Sequence, residues 1–211
     1  MPHNADYLPS TVSIRTEPIQ QRSADRITNL LDAAAELISE NGIDGLTTSD
    51  VAVRSHSSVG VVYRYFPNIQ SLLRALGARN MDLFMTRVHE RLAGVTEWQA
   101  ALDAIVDEYV ELMRTQPSLR AIGFGDVIDQ RFLRPETSNS AVLAKEFADT
   151  LATKFSLKVG SEFEMDLEVA MEVTHALIRR SFLHERDGDE RYIEKLRGIV
   201  SEQLRPYTPA T

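Results

Sequence analysis

Pro67 closes the twenty residues from Thr47 to Phe66, TTSDVAVRSHSSVGVVYRYF, and no other stretch limits the possible folds so tightly. Thr47 and Asp50 stand three apart, the spacing at which a side-chain cap satisfies the free amides of a helix start. Val51, Ala52 and Val53 supply an apolar first helix. Ser55, His56, Ser57 and Ser58 then form a short run of residue types that break and cap helices. Ser58 can cap a second helix that runs to about Tyr65 and ends in Tyr-Arg-Tyr-Phe. Two short helices about a tight polar break form the layout of a helix-turn-helix, whose second helix enters a DNA major groove. In such a helix Gly60 lets the backbone come close to a partner. Val59 and Val61 can touch thymine methyls, and Tyr63, Arg64 and Tyr65 can reach phosphates or base edges.

The competing reading is a buried strand, since VGVVY is β-branched. No comparable strand candidate lies nearby to pair with it. Charge also points to the helical reading. Val51 to Met81 holds Arg54, Arg64, Arg74 and Arg79 without any Asp or Glu, inside a chain of net charge -8. An acid-free window in an acidic protein suggests a surface that meets an anion.

The remaining composition narrows the function classes. A net charge of -8 argues against sequence-blind coating of nucleic acid, yet permits a small DNA-reading module on an acidic body. With no Cys there is no disulfide, thiolate metal site or cysteine nucleophile. No apolar run approaches the ~18 residues of a membrane span, and no signal peptide is visible, so a cytoplasmic protein without membrane contact is expected. No Gly-rich phosphate loop, nucleophile elbow or metal-spaced histidine pair is present, so neither enzyme activity nor a cofactor or metal is expected. Asp126 and Asp129 are isolated carboxylates, able in principle to do acid-base chemistry.

The rest of the 211 residues read as helices. Residues 1–21 carry Pro2, Pro9 and Pro18 without periodicity and are expected to form a flexible arm, with Arg15 and Arg22 able to reach a minor groove and a tail without a role as the alternative. From Ser23, Ile27, Leu30, Leu31, Ala34, Leu37 and Ile38 recur at helical spacing up to Asn41-Gly42. Further helices are predicted over 69–92, 97–115, 141–155, 162–184 and 191–205, with a shorter segment from Pro117 to Ile128 and a polar loop over 134–140. The helix over 162–184 is apolar on more than one side and must be covered on most of its circumference. With the last helix it can supply half of a four-helix interface between two copies, through Val169, Val173, Ala176, Leu183, Ile193, Leu196 and Val200; the alternative is closure of a single protomer's core.

The stretch from Arg22 to Leu76 resembles the TetR family of bacterial one-component repressors. The resemblance is carried by Asn41-Gly42, LTTSDVAVRS, SVGVVYRYFPN and Leu72-Leu73. It implies an all-α chain with a three-helix DNA-binding head over 22–68 (motif 47–66) and a helical ligand-binding and dimerisation domain over 69–211. It further implies a homodimer on a near-palindromic duplex operator, most often a repressor released by a small-molecule effector. Carried over by position, Thr48, Tyr63 and Tyr65 contact phosphate, while Ser49, Val59, Gly60 and Val61 face bases. Arg54 and Arg64 are added from charge, and Ser58 from its cap position.

Met and aromatic residues suit an adaptable apolar cavity. Met81, Phe84, Met85, Tyr109, Met113, Phe124, Phe147, Met171 and His175 are therefore the candidate pocket residues, with ordinary core packing as the alternative for each. The chain departs from the family pattern at His56 and Ser57, where a glycine and an apolar residue are usual, and at Ile69, where a lysine is common. His56 would have to adopt a left-handed backbone at a cost of about 1 kcal/mol. These departures keep open a second class of function, a helical protein-interaction module whose head does not bind DNA.

Overall fold

A computed structural model describes residues 16–124, 139–157 and 160–209. Among these residues there are nine α-helices and no strand: α1 (Thr16–Asn41), α2 (Thr48–Arg54), α3 (Val59–Tyr65), α4 (Ile69–Leu92), α5 (Trp98–Thr115), α6 (Pro117–Ile122), α7 (Asn139–Phe155), α8 (Ser161–Ser181) and α9 (Glu190–Leu204). VGVVY is thus helical, and the strand alternative falls away. No helix of the described residues is long and apolar enough to cross a membrane.

The helix ends follow local chemistry. Gly42 takes φ +75°, and its amide donates to the Ile38 carbonyl at 2.9 Å, ending α1 where Asn41-Gly42 predicts. Asn68 caps α4 in a complete capping box, its side chain accepting from the Ser71 amide while the Ser71 hydroxyl accepts from the Asn68 amide. The start of α1 differs from expectation. The helix begins at Thr16 rather than Ser23, so the arm predicted over 1–21 gives up its last six residues. Pro18 permits this because it falls in the first turn, where an amide proton has no helical partner. Residues 1–15, Arg15 included, lie outside the described residues, as do Asp126, Asp129 and Ile128.

Two hydrophobic cores result. In the head, Leu30, Leu31, Ala34, Leu37 and Ile38 of α1 pack with Val51, Ala52, Val62 and Phe66, and with Leu72, Leu73 and Leu76 of α4. The second core fills the body, built from the later part of α4 and from α5 and α7 to α9. α4 belongs to both. Its residues Leu72, Leu76, Asn80, Phe84, Val88 and Leu92 recur every fourth position and are all buried, one continuous ridge running from head to body. The head core therefore reaches Leu76 and does not stop at residue 68.

Charged pairs brace the body. Arg91 of α4 donates to Glu108 of α5 at 2.5 Å, and Glu108 is buried. Arg197 of α9 sits between Asp103 and Asp107 of α5. α8 ends at Ser181, three residues before the expected His184, so Leu183 lies in the turn beyond the helix.

Candidate DNA-reading surface and effector core

Thr47 caps α2 by accepting from the Asp50 amide at 3.1 Å, and its hydroxyl donates to the Asp50 carboxylate at 2.6 Å. Val51 and Ala52 then anchor α2 in the core, whereas Val53 is 77% exposed. Three consecutive residues at 100° spacing cannot all face one core, so one of the three apolar residues of this helix points to solvent.

The break after α2 is a Schellman turn. The Ser57 amide donates to the Ala52 carbonyl at 2.8 Å and the His56 amide to the Val53 carbonyl at 3.2 Å. His56 stands at the left-handed position with φ +51°, as its place in the motif requires. α1 steadies this turn from behind: Asn29 donates to the Ser55 carbonyl at 3.0 Å and Arg26 to the Ser57 hydroxyl at 3.5 Å. Sequence reasoning passed over both residues, because nothing in their spacing ties α1 to a turn some thirty residues on.

Ser58 caps α3 by accepting from the Val61 amide at 3.3 Å. Val62 is wholly buried and Phe66 nearly so, which fixes how α3 is rotated. Gly60 and Arg64, about 160° around the helix from Val62, are exposed, and Tyr63 and Val59 flank them at 51% and 38% exposure. Ser49 and Ser58 are exposed too, while Thr48, Val61 and Tyr65 are half-buried. Two hydrogen bonds orient the phenols. Thr48 donates to the Tyr63 hydroxyl at 3.3 Å, joining α2 to α3, and Ser23 of α1 donates to the Tyr65 hydroxyl at 3.4 Å. The Ser23 bond, helped by neighbouring Arg64, holds the Tyr65 phenol below its usual range. The Arg64 guanidinium lies 5.1 Å from the Tyr65 ring centre.

The four arginines of the acid-free window separate into two kinds. Arg54 is clamped by Glu40, at 2.6 Å and 2.9 Å, and by Glu36 at 3.2 Å. These bonds push its pKa up and hold the Glu40 carboxyl below the usual carboxylate range. Arg79 donates to Asp32 at 2.5 Å. Both cations are thus matched by acids of α1, outside the window. Arg64 and Arg74 have no ion pair among the described residues, so Arg64 remains available on α3 while Arg54 is engaged within the fold.

The nine candidate pocket residues converge in the body. Phe84, Tyr109, Met113, Phe124, Phe147 and Met171 are buried in one core, with Met81 and Met85 packed against it. Phe84 lies at the centre, its ring 5.2 Å from Tyr109, 5.4 Å from Phe124 and 5.8 Å from Phe147. Half-buried His175 joins this group through a 2.7 Å hydrogen bond between its Nδ1 and the Tyr109 hydroxyl. No group of acids and histidines able to hold a metal occurs among the described residues.

Head and body meet at the end of α6. Ile122 is buried in the head core and Phe124 in the body core, two residues apart. Gly123 between them takes φ +57° and ψ -137°, and a Cβ there would lie 3.0 Å from His175 Cε1. Its carbonyl accepts from Asn80 of α4 at 2.9 Å, and Asn80 accepts in turn from the Ser118 hydroxyl at 3.0 Å. Asn80 escaped sequence reasoning although its signal was present, as the single polar residue on the every-fourth ridge of α4.

The residues expected between two copies divide. Val169, Ala176 and Leu183 are exposed and Val173 is half-buried, on the outward side of the α8 region. Ile193, Leu196 and Val200 are instead buried in the protomer's own core at 1%, 0% and 6% exposure. Ile199, 45% exposed, faces outward from α9.

Comparison with known proteins adds three findings. Residues 30–76 match the family profile for bacterial regulatory proteins, tetR family, and residues 96–207 match the tetracyclin repressor-like C-terminal domain. The chain is 27% identical over 88 residues to an uncharacterized HTH-type transcriptional regulator, YvdT, of Bacillus subtilis, covering 42% of this chain and 45% of that protein. The chain spans about half the length of the curated relatives it matches. A TetR-family transcriptional regulator from Streptomyces coelicolor superposes with TM-score 0.74 at 33% identity, over 86% of this chain and 99% of that one. RolR, solved with resorcinol, shares the fold at TM-score 0.59 and 14% identity, over 88% of this chain and 94% of that one.

Proposed function

Since this chain belongs to the TetR family, and is a DNA-binding transcriptional regulator of that family, we propose that it acts as a ligand-released repressor, bound as a homodimer to a near-palindromic operator. The observation that carries the DNA side is the surface around α3. Thr48 and Tyr63 are joined at one edge, Ser23 and Tyr65 at the other, and Ser49, Ser58, Val59, Gly60, Val61 and Arg64 complete the surface. Hydroxyl donors at the edges suit phosphates on either side of a groove, and the residues between them suit bases. Arg54 is left out of the contact set, because Glu36 and Glu40 already occupy its fork.

The second copy docks on the outward side of α8 and α9, through Val169, Val173, Leu183 and Ile199. Val169, Leu183 and Ile199 supply exposed apolar area that the protomer itself leaves uncovered, and Val173 is half-buried on the same side of α8. The effector enters the aromatic core around Phe84, where the Tyr109–His175 pair offers a polar handle. RolR, of the same fold, holds resorcinol, a small aromatic compatible with such a lining. Release is a population shift in which the effector favours a head position unsuited to DNA. The ridge of α4 and the Asn80–Gly123 bond give the body two physical connections to the head.

The test is selection of bound duplexes from a random pool by the full-length protein at about physiological salt. A two-fold-symmetric motif is expected. A folded dimer that enriches no motif would overturn the reading in favour of a protein-interaction role.

A further inference from the structure

We propose that each operator half-site is recognised through thymine methyl groups, packed against Val59 and Val61 on either side of the bare backbone of Gly60. This rests on α3 being the DNA-reading helix.

Gly60 has no role in the fold that only glycine could fill. Its φ is not positive, it is exposed, and a Cβ there would meet only the Ser58 hydroxyl, at 3.9 Å. A glycine within a helix is nonetheless unfavourable relative to alanine. What the missing Cβ does provide is a smooth patch of backbone on the side of α3 turned away from the core. A helix can settle deeper into a groove over such a patch, bringing short flanking side chains to the base edges. Val59 and Val61 are short, and β-branching leaves them few rotamers, so their methyls stand in defined positions with little entropy to lose.

The hydrogen-bonding alternatives are scarce. From Val51 to Phe66 there is no Asn, Gln, Lys, Asp or Glu, the usual partners of base edges apart from Arg. Arg54 is clamped by two carboxylates. The Ser58 hydroxyl accepts from its own helix, and serine hydroxyls serve several bases alike. Arg64 lies one turn beyond Gly60, with its guanidinium over the Tyr65 ring. The groups centred on the groove-facing turn are therefore methyls. In the major groove the matching apolar feature is the C5 methyl of thymine.

The experiment uses the full-length protein and the duplex recovered by selection. Each half-site thymine is replaced in turn by deoxyuridine, which removes only the methyl, and affinity is read by fluorescence anisotropy at constant salt. The expected result is a loss of about fourfold at one or two positions per half-site, equivalent to ~0.8 kcal/mol per buried methyl. Val59→Ala should shrink that loss while its melting curve matches the wild type. Equal binding of thymine and deoxyuridine duplexes overturns the inference and leaves the DNA-binding reading intact. So does a dependence carried by guanine N7, seen as loss on 7-deazaguanine substitution and abolished in Arg64→Ala. Failure to bind any duplex overturns both.

Discussion

At the residue scale, several side chains have tasks that can be separated. His56 holds φ +51° where glycine would be unstrained, so His56→Gly should stabilise the head by about 1 kcal/mol in a melting experiment. Gly60→Ala should act in two directions, raising the melting temperature slightly while weakening operator binding, because the added Cβ meets only the Ser58 hydroxyl, at an unstrained 3.9 Å. The Arg54 clamp gives a pH dependence. Glu40 has a lowered pKa in the folded state, chiefly from its hydrogen bond to Arg54. Such a group stabilises fully above its unfolded pKa, and the contribution fades as pH falls through the lower folded value. The stability advantage of wild type over Glu40→Gln should thus be complete at neutral pH and vanish in strong acid. Freeing Arg54 by Glu36→Gln with Glu40→Gln should strengthen binding to random duplex and steepen its salt dependence, since one more cation can meet phosphate.

Elements divide by how far their causes lie along the chain. The caps at Thr47 and Ser58 and the stop at Gly42 were legible because capping is settled within a few residues. The left-handed His56 followed from its place in the turn. The outward turn of Val53 was not legible, because apolar character on a seven-residue helix does not say which side faces inward. The partners of Arg54 and Arg79 were hidden for a different reason: Glu36, Glu40 and Asp32 come from α1, and only the tertiary fold brings them near. The α4–α6 junction belongs to the same class. Asn80→Leu would leave the Gly123 carbonyl and the Ser118 hydroxyl without their partner. If this bond transmits the effector signal, the variant should still bind both operator and effector, while the effector-induced drop in operator affinity falls severalfold. Unchanged coupling would assign transmission to the apolar ridge of α4 alone.

For the whole molecule, apolar periodicity marked the apolar residues of α8 and α9 but not which of them the protomer itself buries. Ile193, Leu196 and Val200 share the spacing of interface residues, yet they close the protomer's own core. The outward residues remain, and Leu183→Glu with Val169→Glu should yield a folded monomer by sedimentation, whereas Val200→Glu should unfold the protomer. The candidate pocket residues lie together because Met and aromatic side chains at helical spacing are buried whichever role they serve, and packing alone does not separate core from cavity. The central claim remains that α3 places its face on DNA. It is tested most directly by the affinity of wild type and Tyr63→Ala for the selected duplex, with dimer state and melting curve measured on the same samples. Loss of the Thr48-oriented phenol should weaken binding about tenfold without altering either control. Wild-type affinity in that variant would contradict the assignment of the reading surface.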